Sequence, residues 1–312
     1  MAFIDIMLKS IKLEMNILEI KEGYIDFKSY HTYYRIVNPN GKNTPLLFLH
    51  GGPGSTHNSF ELLDKLAILS DRPLIMYDQL GCGLSSRPDD KKEIYNKDTW
   101  VEELINLRNK LHLDNVNILG HSWGGMLLII YLCDYNPKGI NSAILSSTLS
   151  SVSLWREETH KLLNNLSPEF KKVLLDDEAG LDVDKKLLSL AYKDYTNRFI
   201  FSEPQSFDPE CLSRVKPDSS VSYITAWGKS EFSPTGNLSN YEYTDKLKNI
   251  KCPVLILSGE QDESTPFQNK TMYDNLETTK SWVLFQYSRH RTYYDQNELY
   301  IKTLNDFLSK LD

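Results

Sequence analysis

The sequence predicts an α/β fold: a mostly parallel sheet flanked by helices, with a helical segment inserted on the sheet's C-terminal edge. Three observations predict it. Six short, unbroken apolar runs recur along the chain, the pattern of strands buried on both faces. Helical patterns lie between them, and strands alternating with helices build a parallel sheet covered on both sides. The alternation stops between about 150 and 240, where charged helical patterns and many aromatics replace it, and resumes at Pro253.

Taken in order, 17–27 and 32–37 read as a hairpin with the polar 28–31 as its turn. The apolar strands follow at 45–50, 73–78, 116–119, 142–146, 253–258 and 282–285. Between them, 98–111 places Trp100, Leu104, Leu107 and Leu111 on one helical face, with Asp98 or Thr99 as cap. The 126–133 run is apolar on all sides and predicts a buried helix, and 294–311 predicts the last one. The expected division is a catalytic domain over 1–149 and 241–312 and a helical cap over 150–240, with 1–15 a flexible extension. Ligands of open α/β sheets bind at the C-terminal edge, so an insertion there is expected to act as a lid.

Composition narrows the function. The 312 residues are 40% hydrophobic and 25% charged, as in ordinary globular chains, and at this length about 75% of the unfolded surface can be buried. The net charge is −7 and no basic run is long enough to grip phosphates, which argues against nucleic-acid and anionic-membrane partners. The N-terminal stretch has charges at Asp5, Lys9, Lys12 and Glu14 and fits neither a signal peptide nor a span, so a cytoplasmic protein is expected. Cys82, Cys133, Cys211 and Cys252 form no C-x-x-C pair and read as reduced thiols. Neither cofactor nor metal is expected: Gly81-Cys82-Gly83 is not a dinucleotide fingerprint, and no H-E-x-x-H occurs. The sequence specifies no oligomeric state.

Gly120-His121-Ser122-Trp123-Gly124 is a G-x-S-x-G pattern. Chance supplies roughly 0.1 such matches in a chain this long, so the setting decides. A predicted strand precedes it and a predicted helix follows, which is what a nucleophile elbow requires and gives the fold as an α/β-hydrolase fold. Ser122 then needs a base and an orienting acid, in chain order Ser, acid, His. Five of the seven histidines precede Ser122, and His160 lies in the insertion. His290 follows the 282–285 strand and fits a loop at the active edge. In the loop after 253–258, Asp262 fits the acid position best, with Glu260 and Glu263 as rivals. The oxyanion donors are expected to be the Trp123 amide and one from the His50-Gly51-Gly52-Pro53-Gly54 loop, assigned to Gly52. His50 is expected to stabilise this loop.

Four segments together, HGGPG at 50–54, YDQLGCGLSS at 77–86, GHSWGG at 120–125 and SEFSPTGNL at 230–238, resemble the proline iminopeptidases (prolyl aminopeptidases). The likeness runs from about residue 20 to the C-terminus and is greatest to the lactic-acid-bacterial type. It implies a serine exopeptidase with Ser122 as nucleophile, Asp262 as acid and His290 as base, and a small peptide with a free N-terminal proline as substrate. It further implies that Glu231 in the cap, and Glu263 beside the acid, bind the substrate's amino terminus. Trp123, Trp227, Phe232 and Tyr223 are candidate walls for the prolyl ring. An amidase or esterase of the same fold is the alternative. The sequence departs from the family at Ser288-Arg289-His290-Arg291, where relatives more often carry small or apolar residues. One of these arginines is a candidate partner for the carboxylate of a very short peptide. Cys82, placed at the active edge, is expected to make turnover sensitive to bulky thiol reagents.

Overall fold

A computed structural model of the chain describes residues 18–217 and 219–312. The extension expected over 1–15, and the first residue of the expected hairpin, lie outside the described residues. Eight strands form one sheet: β1 (Ile20–Phe27), β2 (Tyr30–Val37), β3 (Leu46–Leu49), β4 (Leu74–Tyr77), β5 (Val116–His121), β6 (Ile140–Ser146), β7 (Val254–Gly259) and β8 (Lys280–Phe285). Their order is β1-β2-β4-β3-β5-β6-β7-β8. Only the first two neighbour pairs, β1–β2 and β2–β4, are antiparallel; the rest are parallel. Strands β3, β4, β5 and β7 are buried at every residue, which is why each reads as an unbroken apolar run.

The helices are α1 (Lys65–Leu69), α2 (Lys97–Lys110), α3 (Trp123–Asp134), α4 (Val152–Leu162), α5 (Pro168–Glu178), α6 (Lys185–Phe199), α7 (Glu210–Ser213), α8 (Ser220–Ala226), α9 (Pro266–Asn275), α10 (Thr292–Asp295) and α11 (Asn297–Leu308). Helix α3 lies against the sheet with Met126–Leu132 buried. Helices α4 to α8 occupy the segment where the strand pattern stops. Its two ends meet at an antiparallel bridge between Ser151 and Glu242. Leu163, Leu174, Tyr195 and Phe232 gather there into a small core separate from the two that line the sheet.

Three local expectations are corrected. The hairpin turn is only Lys28-Ser29, because Lys28 adopts φ 54° and lets Tyr30 pair with Phe27. Helix α2 is capped by Asn96, whose side chain accepts from the Thr99 N–H at 3.0 Å; Asp98 sits in the first turn instead. The last helix is broken at Gln296, between two buried anchors: Tyr293 on the Ser59 hydroxyl (3.1 Å) and Tyr300 on that of Ser146 (2.8 Å).

Candidate active site

Ser122 sits between β5 and α3 with φ 55° and ψ −123°, a conformation that costs a non-glycine residue energy and that the surrounding structure must hold in place. The holding groups are at hand. The Ser122 N–H donates to the Ser146 carbonyl at 3.0 Å, and the Thr148 hydroxyl donates to the Ser122 carbonyl at 2.6 Å. Two glycines make the turn sterically feasible. A Cβ on Gly124 would lie 2.0 Å from the Leu49 carbonyl oxygen, and one on Gly120 would lie 2.3 Å from that of Gly124. Ser122 remains half-buried and lines a cavity of about 230 Å³ beneath the helical segment.

His290 lines the same cavity. Its Nδ1 lies 2.7 Å from Asp262 Oδ1. Asp262 is 1% exposed and also accepts from the Ser264 N–H at 2.7 Å. A carboxylate fixed in this way places the ring proton on Nδ1 and leaves Nε2 as a lone-pair acceptor. The rivals lie elsewhere. Glu260 is exposed, and Glu263 approaches the opposite edge of the ring, 3.8 Å from Nε2. The histidine loop is also tied to the helical segment, since the His290 N–H donates to the Phe199 carbonyl at 3.0 Å. His121 Nε2 lies 3.0 Å from the His290 carbonyl. Burial and the neighbouring His290 hold the His121 pKa well below its usual range, so His121 is neutral and donates.

The loop facing Ser122 is organised by a residue the sequence reading missed. Gln79 is fully buried. Its side-chain N–H donates to the His50 carbonyl at 3.0 Å, its side-chain oxygen accepts from Trp123 Nε1 at 2.7 Å, and its backbone N–H donates to His50 Nε2 at 3.0 Å. His50 Nδ1–H is thereby free to donate to the Gly51 carbonyl at 2.9 Å. Burial lowers the His50 pKa to about 4, so this ring is a neutral brace. Gln79 thus links the glycine loop to the turn that carries Ser122. The signal for it was present: an Asp-Gln pair directly after a fully apolar strand must bury polar atoms, and those need partners.

Two further carboxylates line the cavity. Glu231, in the loop after α8, accepts from the Tyr223 hydroxyl at 2.5 Å. Its backbone carbonyl accepts from Trp155 Nε1 at 2.9 Å, which fixes its place over the sheet. Glu263 is 3% exposed, and among the described residues its Oε2 has no well-formed hydrogen bond, the Tyr195 hydroxyl being the donor near it. Burial raises the pKa of both, and for Glu263 the negative charges of Glu231 and Asp262 add to the rise. Of the aromatic candidates, Tyr223 lines the cavity. Trp123, Trp227 and Phe232 do not. Trp123 packs on Trp100, Trp227 on Trp155, and Phe232 is stacked on Tyr192 in the small helical core. Their large apolar rings are used for packing.

Comparison with known proteins agrees with this geometry. Residues 44–296 match the family described as the alpha/beta hydrolase fold. The chain is 49% identical to the proline iminopeptidase of Clostridioides difficile (strain 630) over 297 residues, covering 95% of this chain and all of that protein. It is 47% identical to that of Lactobacillus crispatus (strain ST1) over 295 residues, with the same coverage. The chain belongs to the proline iminopeptidase family. A crystal structure of the proline iminopeptidase of Mycobacterium smegmatis superposes with a TM-score of 0.83 at 26% identity, covering 93% of this chain and 98% of that one. The family likeness therefore extends from lactobacilli to clostridia and spans both the sheet and the helical segment. Among the described residues of this iminopeptidase, no group of three or more His, Cys, Asp or Glu side chains is placed to hold a metal ion, and no helix is long and apolar enough to cross a membrane.

The two arginines that flank His290 have different surroundings. Arg289 is fully engaged: it pairs with Asp295 (2.6 Å) and donates to the Asn197 carbonyl (2.9 Å) and the Ser202 hydroxyl (2.8 Å). It clasps the histidine loop to the end of α6. Arg291 instead lines the cavity. Cys82 is 1% exposed, and burial pushes its thiol pKa well up. The expected sensitivity to bulky thiol reagents is corrected accordingly, since a buried neutral thiol is a poor nucleophile.

Proposed function

We propose that this enzyme releases proline from the N-terminus of short peptides through an acyl-enzyme formed on Ser122. The observation that carries the reading is the pairing of two features in one cavity. Ser122 and the Asp262-oriented His290 lie beside two carboxylates, one of which has a buried oxygen with no well-formed hydrogen bond among the described residues. An N-terminal proline is a cationic secondary amine with two N–H donors. Glu231 and Glu263 would each accept one charge-assisted bond, and the cation would relieve the repulsion that raises the Glu263 pKa. Because the anchor needs a free ammonium, the cleavage would be exopeptidic.

In this mechanism His290 Nε2 takes the Ser122 proton as Oγ attacks the prolyl carbonyl. Asp262 stabilises the imidazolium. The Gly52 and Trp123 amides receive the oxyanion, each worth about 3 kcal/mol of barrier stabilisation. His290 then protonates the leaving amine, and water, activated by the same ring, releases proline. Tyr223 flanks the ring-binding end. The helical segment 150–240 serves as the cap that brings Glu231 over the nucleophile. Four free cysteines among the described residues support a reducing, cytoplasmic setting.

The test is hydrolysis of proline arylamide against alanine and leucine arylamides, N-acetyl-proline arylamide and a simple acyl ester, with Ser122→Ala alongside. Preference for free proline, lost on acetylation and abolished in the variant, is the expected result. Ester turnover without proline preference would move the enzyme to the amidase or esterase class.

A further inference from the structure

The cavity carries charge of both signs. Arg291 faces it with its guanidinium stacked 3.8 Å above the Phe201 ring, and its backbone N–H donates to the Ile200 carbonyl at 3.3 Å. Among the described residues no carboxylate lies within ion-pair distance of it. Other arginines in this chain behave differently: Arg35 reaches Asp64, Arg72 reaches Asp312 and Arg214 reaches Glu61, each at 2.6 Å. The neighbouring cation is Lys216, half-buried and also without an ion pair among the described residues. Burial lowers its pKa and the charge of Arg291 lowers it further, while that of Asp78 raises it. Lys216 also acts on His50, which lines the cavity. A half-buried guanidinium that lines a cavity and has no ion pair among the described residues leaves its N–H donors open to an anionic group. Glu231 and Glu263 provide the opposite charge in the same cavity, with Ser122 sharing its lining.

We propose that Arg291 binds the C-terminal carboxylate of short peptides, so that the enzyme reads both ends of a di- or tripeptide. The inference rests on the iminopeptidase reading and deepens it. It gives the cation next to His290 a role that Arg289 does not share, because Arg289 is already paired. A planar guanidinium suits a carboxylate, which it can grip with two parallel bonds, and stacking on Phe201 holds its plane. The amine end would be read by two carboxylates and the acid end by a guanidinium. A substrate lacking either charge would lose the corresponding contacts.

The experiment compares kcat/KM for a prolyl dipeptide with that for its C-terminal amide. It uses wild type, Arg291→Gln, Arg291→Lys and Lys216→Gln, with wild-type turnover of proline arylamide measured in parallel. Wild type is expected to favour the free acid by about 10-fold or more, the effect of one charge-assisted bond. Arg291→Gln should bring the acid-to-amide ratio close to one, Arg291→Lys should retain part of it, and Lys216→Gln, at a cation outside the cavity lining, should leave it near wild type. A purely structural role for Arg291 would lower both substrates together and leave the ratio intact. A ratio near one in wild type, or an unchanged ratio in Arg291→Gln, overturns the proposal while arylamide cleavage still supports the iminopeptidase reading. Failure of wild type to cleave the arylamide overturns both.

Discussion

Glu263→Gln separates the cost of the carboxylate pair from its use. The side chain is 3% exposed, one oxygen has no well-formed hydrogen bond among the described residues, and burial with the charges of Glu231 and Asp262 outweighs what the nearby Tyr195 hydroxyl returns. Its folded pKa therefore lies above that of the unfolded chain. Below the unfolded value, near the ordinary 4.5, both states are protonated and the group costs nothing. As pH rises through the folded value the ionised form is disfavoured in the native protein alone, so stability is lost on the alkaline side. Glutamine keeps the shape and removes the charge. The variant should thus melt higher than wild type at pH 8 and about equally at pH 4. Its activity should move the other way. One charge-assisted hydrogen bond contributes about 1.5–3 kcal/mol, so kcat/KM for proline arylamide should fall by roughly 10- to 150-fold. Glu263 also lies 3.8 Å from His290 Nε2, so a general effect on the base is removed by dividing by the rate on a neutral acyl ester. Calorimetry at both pH values and the two steady-state assays suffice. A substrate ratio within twofold of wild type, with no gain in melting temperature at pH 8, would refute the reasoning.

Other outcomes follow from the same geometry. Gln79→Ala removes the side-chain bridge between the His50 carbonyl and the Trp123 indole, and should lower kcat by about 10- to 100-fold with little change in KM; an unaltered kcat would show that the loop holds itself. Arg289→Ala leaves the Asp295 carboxylate, whose side chain is 8% exposed, with the backbone N–H of residue 289 (2.8 Å) but without its guanidinium partner, and unfastens the end of α6. It should cost about 3 kcal/mol and expose the 185–217 region to limited proteolysis, and a wild-type digestion pattern would contradict that. Maleimide labelling of the native enzyme, mapped by mass spectrometry, should reach the half-buried Cys133 and Cys252 before the buried Cys82 and spare activity; early modification of Cys82 would count against its burial.

The parts of the fold legible in the sequence are those where one local pattern has one physical outcome. A strand covered on both faces must be apolar throughout, so β3, β4, β5 and β7 stand out unaided. The turn at Ser122 must be flanked by glycines because backbone carbonyls occupy the space of their side chains. Chain order along a parallel sheet then directs attention to Asp262 and His290, and the structure joins them at 2.7 Å. The break at Gln296 had no such signature, since the periodicity of α10 runs on into α11 and only the separate anchors of Tyr293 and Tyr300 interrupt it.

Aromatic side chains show the limit most clearly. Tyr223, Trp227 and Phe232 lie within ten residues of one another, and composition assigns them one role. Only Tyr223 reaches the cavity, because its hydroxyl has Glu231 to donate to; Phe232 has no polar atom and is drawn into the helical core against Tyr192 and Tyr195. The same rule separates the two arginines beside His290. Arg289 has Asp295 six residues away and turns to it, whereas Arg291 makes no ion pair among the described residues and stays with the cavity. In both pairs the deciding quantity is the availability of a partner, which depends on how distant segments meet. Polar atoms left over after internal pairing, the Glu263 oxygen and the Arg291 guanidinium, are therefore the ones most available to a substrate, and they carry opposite charges, as the two ends of a peptide do.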